Sequence, residues 1–192
     1  MKTRQDAWAI LTEFTKTEPL IKHALAVEAA MRAYARRYGE DEEQWAVVGL
    51  VHDLDFEQHP TAEEHPEAGA RILEERGWPE EIVRAVRSHA KYLSVTRESN
   101  LEKALFAVDE LTGLVIAVAL VRPSKSILEL EVKSVRKKWK DSAFARGVNR
   151  EDIEVGAREL GIPLEEHIQV VIGALKQAAA QLGLVGHPGT GK

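Results

Sequence analysis

A chain of 192 residues that is 44% hydrophobic can bury a sizeable core, and at this length one domain is the simplest expectation. Its net charge of −5 leaves no sequence-wide basic field for nucleic acid or an anionic membrane, so neither is expected as a partner. Cysteine is absent, which excludes disulfides, zinc-thiolate centres, iron-sulfur clusters and cysteine nucleophiles; a metal here would need imidazole and carboxylate donors.

Apolar residues recur at spacings of three and four, while period-two alternation and hairpin turn signals are scarce, so the fold class expected is all-α. A first short helix spans about 3–14, and Pro19 sits in the first turn of a second that Gly39 ends. The third runs from Glu42 and finishes at His52 and Asp53, followed by a loop over 55–64. Pro66 opens a fourth helix closed by Gly77, and Pro79 a fifth reaching about Tyr92. Ser99 and Glu102 have the spacing of a capping box before a long apolar helix over 101–121, which Pro123 stops.

Further on, Leu128, Val132, Val135 and Trp139 share one helical face, with Lys133, Arg136, Lys137, Lys138 and Lys140 on the others. Two more helices follow, at about 150–160 and 163–182. The expectation is a bundle of eight or nine helices in one domain over 1–185. Its core covers 19–125 and its helical extension 126–185, the last helices buttressing the core or forming a homodimer face. Gly186 to Lys192 carries the glycines and lysine of a phosphate-binding loop, but no Ser or Thr and no helix follow, so 186–192 is expected to be a frayed tail. The start has no uninterrupted apolar stretch of signal-peptide type, and a cytoplasmic location is the default expectation.

Five histidines fall between residues 23 and 89. His23 and His89 lie within helices, His65 precedes one, and Asp109 interrupts an apolar run without Lys or Arg one turn away. A buried carboxylate so placed needs a cation from elsewhere in the fold. Adjacent residues on a helix diverge by about 100°, so His52 and Asp53 can grip one ion only near a helix end, where they stand. His59 and His167 are expected at the surface.

The order of His23, the doublet in Val51-His52-Asp53-Leu54 and the distant Asp109 in Val108-Asp109-Glu110-Leu111 resembles the HD superfamily of metal-dependent phosphohydrolases, over at least residues 20–121. The resemblance implies a helical bundle in which His23, His52, Asp53 and Asp109 hold a divalent metal and Asp53 and Asp55 are catalytic. His65 and His89 look like the second-metal ligands of two-metal members, with Asp53 bridging. The Gly-Tyr-Pro motif and following Lys of the cyclic-dinucleotide enzymes are absent, with Leu54, Asp55 and Phe56 in their place. One or two ions of Mn, Fe, Co, Ni, Zn or Mg suit such donors, and would lower the pKa of water enough to supply a nucleophile near neutral pH.

The expected substrate is a small-molecule phosphate ester, a nucleotide or another phosphorylated metabolite; the alternatives are a di-iron oxygenase and a non-catalytic nucleotide sensor. If the chain turns back tightly at Pro123, residues about 13 positions beyond it come level with Asp109, which makes Lys133, Arg136 and Lys137 the expected phosphate contacts.

Overall fold

The computed structural model describes residues 2–186; the glycine-and-lysine tail at 187–192 lies outside them. Ten α-helices are found among the described residues: α1 (Arg4–Phe14), α2 (Glu18–Tyr38), α3 (Glu42–Val51), α4 (Glu67–Glu75), α5 (Glu80–Ser88), α6 (Asn100–Leu120), α7 (Val132–Trp139), α8 (Arg150–Glu159), α9 (Leu164–Gln177) and α10 (Ala179–Leu182). The class is all-α. The count exceeds expectation because the apolar run at 163–182 breaks at Ala178. No helix among the described residues is long and apolar enough to cross a membrane.

Local signals set several boundaries. Ser99 and Glu102 form a reciprocal capping box at α6, and Thr3 with Asp6 does the same at α1. Gly39 closes α2 in the left-handed conformation at φ 69°. Asp41 caps α3 by accepting the Glu43 and Gln44 N–H groups.

The two 21-residue helices α2 and α6 pack on each other at the centre, and every other helix reaches one of them directly or through α3 or α5. Leu105, Leu111, Leu114 and Val115 on α6 are fully buried, each contributing about 1.5–3 kcal/mol. Their core is continuous from Ala7 to Leu184, so α8 and α9 share it through Ile153, Ile168, Val171 and Leu175.

The contact of α3 with α2 is unusually close. A Cβ on Gly49 would lie 2.8 Å from Glu28 Cα, so glycine is required there. That approach carries the end of α3 towards His23 on α2.

His167 overturns the surface expectation. It is fully buried on α9, its Nδ1 2.6 Å from the Tyr34 hydroxyl of α2 and its Nε2 2.8 Å from the Ala107 carbonyl of α6. The carbonyl can only accept, so Nε2 carries the proton and Nδ1 accepts from Tyr34. Flanking Glu165 and Glu166 disguised this position as solvent-facing. His59 stays partly exposed in its loop, against Glu64.

Candidate metal centre

Three histidines are aimed by the same device. His52 Nδ1 donates to the Gly49 carbonyl at 2.8 Å, His89 Nδ1 to the Val86 carbonyl at 2.6 Å, and His65 Nδ1 to Asp55 Oδ1 at 3.0 Å. Spending Nδ1–H on a fixed acceptor leaves each Nε2 lone pair free and fixes the ring. All three Nε2 atoms converge on Asp53 Oδ1, at 3.4 Å from His52, 3.4 Å from His65 and 3.3 Å from His89.

The remaining donors complete the cluster. His23 Nε2 lies 3.0 Å from Asp109 Oδ1 and 3.6 Å from Asp53 Oδ2, and His52 Nε2 lies 3.3 Å from His23 Nε2. His23 comes from α2 and Asp109 from the middle of α6, while α3 stops at Val51 so that His52 and Asp53 follow in the turn beyond its end. That turn frees the doublet from helical divergence. His89 follows α5 directly, and His65 precedes α4.

Two donor sets result, His23 with His52, Asp53 and Asp109, and Asp53 with His65 and His89. Asp53 belongs to both.

Whether these residues fit a metal is tested by Asp53 Oδ1. It is buried, yet among the described residues it finds no hydrogen-bond donor. Three nitrogens surround it beyond hydrogen-bond range, at spacings that match ligands held about 2.1 Å from a common ion and hence about 3.0–3.5 Å from one another. A buried acceptor without a partner is costly; a cation among these atoms resolves it. The residues fit.

Charge agrees with geometry. Burial opposes the anion on Asp53, but the His52 and His89 imidazoles outweigh it and hold its carboxyl well below the usual carboxylate range. Asp109 is lowered likewise, with burial outweighed by the hydrogen bond with His23 and by the nearby His52 imidazole. His52 is raised well above the ordinary imidazole value, burial being overcome by the charges of Asp53 and Asp109. Protons and a metal ion therefore compete for one cluster.

The family comparison bears on this geometry directly. A sequence profile described as the HD domain matches residues 20–114, about half the chain, a span that runs from just before His23 to just after Asp109. The chain is an HD-domain protein. No curated protein and no solved structure matches it at a significant level. The HD domain belongs to a superfamily of metal-dependent hydrolases, which is the broad class of this chain.

Two expectations change in the HD-domain structure. Asp55 does not face the cleft: it is fully buried behind His65, accepting from His65 Nδ1 and from the Gly69 N–H at 2.9 Å. It orients His65 and is not among the residues that line the cleft. Lys133, Arg136 and Lys137 do not line the cleft either. No tight turn follows α6; residues 121–131 intervene, and Ile127 and Leu130 are buried there before α7 begins. Lys133 pairs with Glu131 at the start of α7, and Arg136 with Glu165 on α9.

The cleft over the donors has a volume of about 370 Å³, within the usual range for small-molecule sites. Phe56, Tyr92 and Phe106 supply its apolar walls, and Lys91, Glu110 and Asp152 its polar ones. Lys91 Nζ pairs with Asp152 at 3.2 Å, and Tyr92 donates to the His65 carbonyl at 2.6 Å. Burial and the adjoining Asp109 charge push the Glu110 carboxyl up to about 7. Sequence reasoning missed all of these. Lys91 and Glu110 stand two and one positions from His89 and Asp109, a signal that could have found them; Asp152 arrives from α8 through tertiary packing alone.

Proposed function

We propose that this protein hydrolyses a small phosphate ester in a reaction that depends on two divalent ions. Asp53 carries the reading, because its carboxylate is shared by two donor sets and its buried Oδ1 finds no hydrogen-bond donor among the described residues. His23, His52, Asp53 and Asp109 would hold one ion, and Asp53, His65 and His89 the other. When bound, such a pair supplies Lewis acidity that lowers the pKa of water and offsets charge on the phosphoryl group.

The chain's own residues do the rest. Lys91 offers an ammonium at the mouth of the cleft for a phosphoryl oxygen, and Phe56, Tyr92 and Phe106 exclude bulk water from its walls. In the overall reaction a water oxygen bonds to phosphorus, the ester P–O bond breaks, and the leaving alcohol gains a proton. Asp55 keeps His65 in the tautomer whose Nε2 faces Asp53.

The test is phosphate release from a panel of phosphate esters by protein reconstituted with Mn, Fe, Co, Ni, Zn or Mg. Turnover that needs metal, persists without dioxygen and vanishes in Asp53→Ala supports the reading. Turnover that requires dioxygen points instead to iron oxygenase chemistry, and intact nucleotide retained without release points to a sensor.

A further inference from the structure

A second cavity of about 420 Å³ adjoins the metal cleft. Its walls are Pro19 and Lys22 on α2 and Ile116 and Leu120 on α6, and it shares His23 and Gly113 with the cleft itself. Asp109, Gly113, Ile116 and Leu120 form one stripe along α6, each about one turn beyond the last. The stripe changes character from metal donor to bare backbone to apolar floor.

Gly113 is the informative residue. Glycine weakens a helix interior, and at two other helical positions it is forced: a Cβ at Gly49 or Gly156 would strike Glu28 or Ala107 at under 3 Å, whereas Gly173 on α9, like Gly113, has room for one. At Gly113 a Cβ would meet only Val148 Cγ2 at 3.9 Å, an ordinary contact. Packing therefore does not demand glycine here, where with His23 it forms the junction of cleft and groove.

We infer that the substrate is the phosphate ester of an elongated apolar alcohol, whose chain leaves the metal cleft past Gly113 and lies in the groove on Ile116 and Leu120. This rests on the phosphohydrolase reading and narrows it. Leu120 is 48% exposed at the end of α6, Ile116 one turn before it is half-buried, and the Lys22–Glu18 pair neutralises the rim, so the groove suits an uncharged chain. From Gly113 to Leu120 the floor runs about 10 Å, the reach of a medium-length alkyl chain. A polyphosphate fits poorly, since Lys91 is the single ammonium among the cleft's lining residues and further phosphates would meet Glu110 and Asp152. The residues at 187–192, His-Pro-Gly-Thr-Gly-Lys, offer no large apolar side chain to fill the groove from within.

Titration calorimetry with alkylphosphonates from methyl to decyl, whose P–C bond prevents hydrolysis, tests this on metal-loaded and metal-free protein. The expected result is metal-dependent binding that strengthens about two- to fourfold per methylene and levels off near octyl. Gly113→Leu and, at the exposed end, Leu120→Asp should each cut the octyl-to-methyl affinity ratio at least tenfold, while Gly113→Ala keeps most of it. Metal-dependent binding that ignores chain length overturns the groove and leaves the phosphohydrolase reading standing. Absence of metal-dependent binding for every member overturns both. A homodimer that Leu120→Asp dissociates would assign the groove to a second copy and also overturn the inference.

Discussion

Asp55 stands directly behind His65, its Oδ1 3.0 Å from the ring Nδ1 that it orients. Its other oxygen takes the Gly69 N–H, so both lone-pair faces of a fully buried carboxylate are committed. Asn at this position has one acceptor oxygen and must leave either His65 Nδ1–H or Gly69 N–H facing an amide NH2. Asp55→Asn should therefore weaken the second ion about 10- to 100-fold and leave the first in place, measured as metal stoichiometry after dialysis. Two tightly held ions in the variant would show that His65 needs no such support.

Ion binding should also stabilise the fold, because no unfolded chain assembles these donors. At a free metal concentration 1,000 times the dissociation constant the gain is about 4 kcal/mol, or a rise in Tm of about 8–16 °C at this chain length. Differential scanning fluorimetry with and without a chelator measures it. Asp53→Ala should show no metal-dependent rise.

His167 gives the stability a pH dependence of defined sign. Burial depresses its imidazole from 6.5 to about 4. The unfolded chain thus binds a proton that the folded one refuses between those values. Stability contributed by the neutral ring is complete above about 6.5 and is lost as pH falls towards 4, by on the order of 3 kcal/mol. Urea unfolding of the metal-free protein at pH 7 and pH 4.5 measures the loss, and His167→Gln should remove most of the difference. An equal slope in the variant assigns the acid sensitivity elsewhere.

Gly49→Ala places a methyl 2.8 Å from Glu28 Cα, and both atoms belong to packed helices that cannot rotate away. It should cost about 1–3 kcal/mol in denaturant unfolding. The displacement of α3 also draws His52 and Asp53 away from His23, so metal affinity should fall with it. Unchanged affinity in a destabilised variant would separate the helix contact from the centre.

Lys91→Ala should raise KM for a phosphate ester about tenfold, the worth of one exposed charge-assisted hydrogen bond, with a smaller change in kcat. Lys133→Ala and Arg136→Ala should leave both constants unaltered, since their cations point to Glu131 and Glu165.

The helices were readable because their signals are local: Ser99 and Glu102 announce a cap, and Gly39 a terminus. Asp109 was readable because a carboxylate in an apolar run needs a cation, the other candidate ligands because their order resembles that of the HD superfamily, and the fold brings all six together. The misplaced lysines and arginine at 133–137 depended on the path of residues 121–131, which no periodicity specifies. Asp55 was misjudged because its acidity is visible in a sequence and its orientation is not. Asp152 and the groove arise from the meeting of distant helices, which composition does not encode.

His167 lastly bears on where this protein can be divided. The family profile stops at residue 114, yet the imidazole on α9 is wedged between a phenol of α2 and a carbonyl of α6, both inside that span. A fragment cut at the profile's edge would strip the lid from its own interior, baring Tyr34 and the backbone beside Asp109's helical turn to water. The boundary of sequence kinship is thus not a boundary of independent folding, and expression of residues 20–114 alone should yield aggregate rather than a folded domain.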